Sequence, residues 1–197
     1  MLEPAPVSFH LDLYRYWLSK RGSRAMPARS DIDPAEISAL LPYIAIVHKF
    51  EGKFRFRLAG SAIARQFGHE LTGDVVGSHV SNRDETIAAL GAVCERVFAT
   101  ARPVFSTGQH ETEQGVLHNV SLLLLPLSDD GEEVNRVIFT RIACFAFNTR
   151  ASREWLAGAI FKVWGTVDVT SETDLASRCL DWGHNCWAAA EPLQKPA

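Results

Sequence analysis

The sequence predicts an α+β fold built on an antiparallel sheet of about five strands. Three observations predict it. Phe54, Phe56 and Leu58 alternate with Arg55, Arg57 and Ala59, the period-2 signature of a strand with one buried face. Apolar residues recur at three- and four-residue steps over Asn82–Ala101, the signature of a long helix packed on one side. Two later runs rich in strand formers, Val116–Leu127 and Asn135–Phe147, are joined by a turn carrying Asp130-Gly131.

The elements follow in order. Phe9–Lys20 places Leu13, Tyr14, Trp17 and Leu18 on one helical face, and Arg21-Gly22 ends the helix. Asp33, Pro34 and Glu36 predict the capped start of a short second helix, with Ile37, Leu40 and Leu41 as its buried stripe and Pro42 as its stop. Tyr43–Phe50 and Phe54–Ala59 form a β-hairpin across Glu51-Gly52-Lys53. Gly60–Gly68 holds a helical turn or two, Leu71–His79 is a Gly-rich loop, and the long helix leads into three strands beginning at Pro103. In the tail, Arg153–Trp164 and Asp174–Trp182 read as helices.

Composition bounds the function. Of 197 residues, 47% are apolar and 22% charged, enough for a core without disulfides. The net charge of −3, with no like-charge block, gives no basic face for nucleic acid or an anionic membrane. Cys94, Cys144, Cys179 and Cys186 are scattered, unlike a secreted framework. The longest strongly apolar run, Val120–Leu127, is too short to span a bilayer. No basic segment precedes an apolar one near Met1. The expectation is a cytoplasmic protein.

Local sequence adds a resemblance. Tyr16-Trp17-Leu18, the stretch Met26–Pro34, and Leu41-Pro42 resemble the opening of a divergent bacterial PAS-domain family, mostly alphaproteobacterial. Arg57–Ile63 followed by Phe67–Gly73 is similar to that family's central motif. The resemblance covers roughly residues 10–147. It implies a PAS-like five-stranded antiparallel sheet with a helical midsection, flanked by an N-terminal segment (1–28) and a C-terminal extension (149–197), the core being 29–148. It also implies a sensory or interaction module in signal transduction, working through a ligand, a partner protein or a homodimer, and no catalysis. The other reading is an NTF2-like small-molecule carrier or enzyme on a curved sheet, with helices ahead of a long run of strands and a pocket lined by a pair such as His118 and a carboxylate.

The candidate site follows from the same reading. His69 and His79 flank the Gly-rich loop, where several PAS-type folds contact a ligand; with Phe56, Arg57, Phe67 and Arg141 they form the expected ligand-binding set. Arg55, Arg57 and Arg141 lie on strands that would be neighbours, so their guanidinium groups could converge on an acidic ligand or partner; plain solvent-exposed arginines are the simpler reading. Haem or metal at His69 and His79 is weighed against ordinary loop histidines, since no two of the seven histidines stand at i, i+4. Zinc at Cys179, His184 and Cys186 lacks a fourth ligand and the usual spacing. No phosphate loop, dinucleotide fingerprint or nucleophile elbow is present, so the sequence names no catalytic residue, metal or cofactor. The acidic cluster Asp129, Asp130, Glu132 and Glu133 reads as a solvated turn. The stripe Leu13, Tyr14, Trp17 and Leu18 either covers the chain's own sheet or forms a face for a second copy.

Overall fold

A computed structural model describes residues 8–76, 85–111, 117–145 and 165–188. Helix α1 (Ser8–Arg21) is followed by three short 3₁₀ turns, Arg29–Asp31, Pro34–Ile37 and Leu41–Tyr43. Strands β1 (Ile44–Phe50) and β2 (Lys53–Ala59) form the expected hairpin, and α2 (Ser61–Phe67) and α3 (Glu85–Thr100) form the midsection. Then come β3 (Val104–Glu111), β4 (Leu117–Leu127), β5 (Arg136–Phe145), β6 (Gly165–Asp168) and α4 (Glu172–Ala188).

One antiparallel sheet contains the six strands found among the described residues, in the order β2-β1-β5-β4-β3-β6. The expected five are present, and a sixth comes from the tail. Its four residues pair with β3 from Val104↔Asp168 to Thr107↔Gly165. Strand β6 is too short to show a period of its own, so the sequence carried no signal for it. The tail helix expected at Asp174–Trp182 is present within α4; the one expected at Arg153–Trp164 lies outside the described residues.

Both faces of the sheet are covered. On the inner face, Val47, Phe56, Val120, Leu122, Leu124, Val137 and Phe139 pack with Ile63 of α2 and Leu90, Val93, Cys94 and Val97 of α3. On the outer face, Ile44, Ile46, Phe105, Leu123, Leu125 and Ile138 pack with Leu13, Tyr14 and Trp17 of α1 and Leu175 and Cys179 of α4. Double coverage explains why Val120–Leu127 is apolar at almost every position rather than at alternate ones. Trp17 Nε1 donates to the Pro126 carbonyl oxygen at 2.8 Å, which anchors α1 over β4.

Two local expectations need correction. The second helix is only a 3₁₀ turn. Asp33 Oδ1 accepts from Ala35 N at 2.9 Å as expected of a cap, but the Glu36 carboxylate pairs with Lys20 Nζ at 2.7 Å instead of closing a capping box. In β2 the alternation fails after Phe56. A bulge makes Ile46 pair with Leu58 and Val47 with Phe56, leaving Arg57 as the extra residue. Leu58 is consequently 39% exposed rather than buried.

Gly60 is needed for space, not for an unusual dihedral. Its φ is −66°, but a Cβ there would run into the carbonyl oxygens of Leu41 and Pro42, while its N–H donates to the Ile44 carbonyl at 2.8 Å. Gly68 does need the left-handed region: it ends α2 at φ 80°. The acidic turn is the Asx arrangement expected, with Asp130 Oδ1 accepting from Ser128 Oγ, Glu132 N and Glu133 N.

Candidate functional site

The expected site residues divide between the two faces of the sheet. Phe56, Phe67 and Arg141 come together on the inner face. Arg141 pairs across the sheet with Leu122, between β4 and the α2 side of the core, and is 4% exposed. Its guanidinium carbon lies 5.0 Å from the centroid of the Phe67 ring on α2. Phe56 sits 6.4 Å from Phe139, two residues before Arg141 on β5. A guanidinium in such an apolar compartment is costly unless its charge and its N–H groups are met, and stacking on an aromatic face meets part of that cost.

Arg57 does not join them. The bulge turns it out to solvent, and with Arg55 it lies on the outer face. The expected convergence of Arg55, Arg57 and Arg141 therefore fails for a geometric reason: register places Arg55 opposite His48 and Arg141 opposite Leu122, on opposite sides of the sheet. His69 is exposed at the end of the midsection; its Nδ1 lies 3.1 Å from the Phe67 carbonyl and its Nε2 3.4 Å from Asp74 Oδ2. His79 lies outside the described residues.

Where Arg55 and Arg57 emerge, the outer face carries a groove of about 340 Å³ lined by His48, Phe50, Arg55, Phe56, Arg57, Thr72 and Gly73. Arg55 donates to the Gly73 carbonyl at 3.3 Å. Burial pushes the pKa of His48 below its usual value, and the charges of Arg57, Arg136 and Arg55 push it the same way, against a 3.2 Å hydrogen bond to the Arg55 carbonyl. The groove is thus a concentration of positive charge.

The α1 stripe turns inward. Leu13, Tyr14 and Trp17 are buried against the chain's own sheet and Leu18 is half-buried against the same core, so the helix covers the sheet rather than presenting these side chains to a second copy. The stripe has a fourth buried member that the sequence reading passed over. His10 is fully buried; its Nδ1 lies 2.6 Å from Thr140 Oγ1 and its Nε2 2.8 Å from Ser121 Oγ, with the ring edge-on to Phe105. Desolvation lowers its pKa to about 3, so the ring is neutral, one nitrogen donating and the other accepting. The signal was its spacing: His10, Leu13, Tyr14 and Trp17 stand at i, i+3, i+4 and i+7.

Cysteine chemistry is muted. Burial raises the Cys94 thiol well above its usual range and Cys179 to about 12, so neither offers a thiolate. Cys179 packs in the outer core, while the side chains of His184 and Cys186 are outside the described set. Among the described residues, no group of three or more His, Cys, Asp or Glu is placed to hold a metal ion, and no helix is long and apolar enough to cross a membrane.

A sheet covered by α2 and α3 on one face, entered through a β-hairpin and closed by three consecutive strands, is the architecture the two sequence motifs implied, and the sequence profile described as "PAS domain" matches residues 7–140. The chain belongs to the PAS domain family. No curated protein matches it. Solved structures align with it at low identity. A Vibrio cholerae VqmA dimer, described in relation to its target DNA, is 16% identical with a TM-score of 0.46, over 64% of this chain and 57% of VqmA. The PAS domain of Bordetella pertussis BvgS is 20% identical with a TM-score of 0.45, over 63% of this chain and 90% of that domain. A Rhodobacter sphaeroides LOV protein is 14% identical with a TM-score of 0.43, over 81% of this chain and 94% of its own length. The chain thus spans less than two thirds of that VqmA chain.

Proposed function

We propose that this PAS domain is a cytoplasmic sensory and interaction module of bacterial signal transduction. It holds a small anionic ligand at Arg141 and passes the signal to a partner protein or a second copy. The observation that carries this reading is the placement of Arg141. Its guanidinium stands on the inner sheet face, beneath an aromatic residue of α2 and next to the midsection that runs into the Gly-rich loop. A carboxylate entering from the α2 side would exchange solvent for a low-dielectric site, where a charge-assisted pair is strong. Its arrival or departure would shift α2 against the sheet.

The core at 29–148 supplies the sensing compartment in this reading. The extension at 149–197 carries the response outward, because Arg96 of α3 donates to Asp168 of β6 at 2.9 Å and Arg15 of α1 to Glu172 of α4 at 2.7 Å. The NTF2-like alternative required helices ahead of a long run of strands; here two strands precede the midsection. Native mass spectrometry of the purified chain, with thermal shifts against a panel of small carboxylates, tests the proposal. A retained or stabilising anion that is lost in Arg141→Gln is the expected result. An identical response of wild type and Arg141→Gln to every anion would refute the site.

A further inference from the structure

The outer face of the β1–β2 hairpin is exposed at Phe50, Arg57 and Leu58, beyond the part where Ile44 and Ile46 are buried in the outer core, and its surface is unusual. Among the described residues only three large apolar side chains are well exposed, and two of them, Phe50 at 52% and Leu58 at 39%, stand on this hairpin. Isolated exposed apolar residues are ordinary; these two bracket a basic groove. Along the hairpin, Phe50 sits opposite Lys53 next to the turn, and Leu58 sits opposite Ile46. Ile46 and Phe50 are four residues apart on β1, which spaces the two apolar positions by roughly 13 Å along the strand direction. Between them lie His48 and Arg55, directly paired, and the bulged Arg57.

The charges on this face are not equally committed. Arg136 is engaged by both oxygens of Asp129, at 2.9 and 3.2 Å. Arg55 is held in place by the Gly73 carbonyl. Arg57 has no carboxylate partner among the described residues and is exposed. The free edge of β2 is already occupied: Phe56 N donates to the Asp74 carbonyl, Gly73 N to the Phe56 carbonyl and Val76 N to the Phe54 carbonyl, at 2.8–2.9 Å. A partner therefore cannot extend the sheet beside Phe54 and Phe56, and must bind through the side chains on the face.

We propose that this groove docks an extended acidic segment of a partner protein, its central carboxylate gripped by Arg55 and Arg57 and its flanking apolar side chains seated on Phe50 and Leu58. In extended chain, side chains at i, i+2 and i+4 share one side and cover about the Phe50–Leu58 span. The partner pattern is therefore apolar, any, acidic, any, apolar. Arginine forks recognise carboxylates in two-point geometry, and the apolar ends set the register. The inference deepens the partner half of the function proposed above and rests on that reading. It is independent of Arg141, which lies on the other side of the sheet.

The test uses the full chain and a fluorescein-labelled peptide of roughly five core residues, with phenylalanine and leucine at its ends and a glutamate at its centre. Fluorescence anisotropy is expected to show saturable binding. It should weaken by roughly tenfold or more in Arg57→Glu and in Phe50→Ser, and when glutamine replaces glutamate in the peptide. Both substituted positions are exposed, so unchanged circular dichroism and Tm should accompany the loss. Arg141→Gln should bind the peptide like wild type, which separates this site from the ligand site. Equal peptide affinity in wild type, Arg57→Glu and Phe50→Ser would overturn the inference. So would displacement of the peptide by sodium phosphate or glutarate at the peptide's own concentration, because the groove would then be a free-anion site.

Discussion

Acid should loosen this protein through His10. The ring is buried, bonded to Ser121 and Thr140, and lowered by desolvation to a pKa of about 3, against about 6.5 for an unfolded histidine. The native state thus prefers the neutral ring, and the unfolded chain takes up the proton first. The contribution to stability is complete above about pH 6.5 and is withdrawn as pH falls from there toward about 3. Between about pH 7.5 and pH 5, the statistical weight of the unfolded ring, protonated and neutral forms together, grows roughly thirtyfold while the folded ring stays nearly unprotonated, so about 2 kcal/mol is lost. That figure hardly changes if the native value is a unit higher, because at pH 5 only the unfolded state is titrating. Urea unfolding of wild type and His10→Gln at the two pH values isolates the effect, since the other titrating groups are common to both proteins. The wild type should lose about 2 kcal/mol more than the variant. If His10→Gln costs too much stability to fold, the His10 ring resonances of wild type should stay those of a neutral imidazole at pH 5. Equal pH dependence in the two proteins, or an imidazolium spectrum at pH 5, would refute the reasoning.

Other outcomes follow from the packing. Gly60→Ala should cost about 3 kcal/mol in chemical denaturation, because the new methyl meets backbone oxygens that cannot rotate away; a loss under about 1 kcal/mol would mean the Leu41–Tyr43 turn yields easily. Trp17→Phe should cost about 2 kcal/mol, combining a lost hydrogen bond to the Pro126 carbonyl with a smaller ring in the outer core. Native-state thiol labelling followed by peptide mapping should leave Cys94 unmodified until urea unfolds the chain; rapid labelling in buffer would show that α3 opens. Leu58→Ser should change Tm little, since the side chain is partly in water already, and a large drop would place it in a core that the bulge does not allow.

Most of the sheet was legible because pattern and burial agree. The hairpin and the long helix carry periods that neighbouring elements reward, and β4 and β5 are rich in strand formers. The site was less legible. Arg55, Arg57 and Arg141 looked alike in sequence, and only the register shows that one faces the midsection while two face solvent. A single inserted residue at Arg57 moves Leu58 out of the core, and a bulge of this kind leaves no mark in a two-residue period. His10 was visible as a polar member of an apolar stripe but could not be matched to Ser121 and Thr140, which lie 111 and 130 residues away along the chain. Strand β6 was invisible because its four residues take their conformation from β3 rather than from their own composition.

The last strand has a practical consequence for anyone dissecting this chain. A protein cut after Phe145 would keep everything the family profile covers, yet it would leave the outward rim of β3 with bare amides and carbonyls and strip Leu175 and Cys179 from the outer core. Such a fragment invites strand exchange with its neighbours and precipitation. The unit the family profile covers and the unit that closes this sheet and outer core therefore differ by one short strand and the helix behind it.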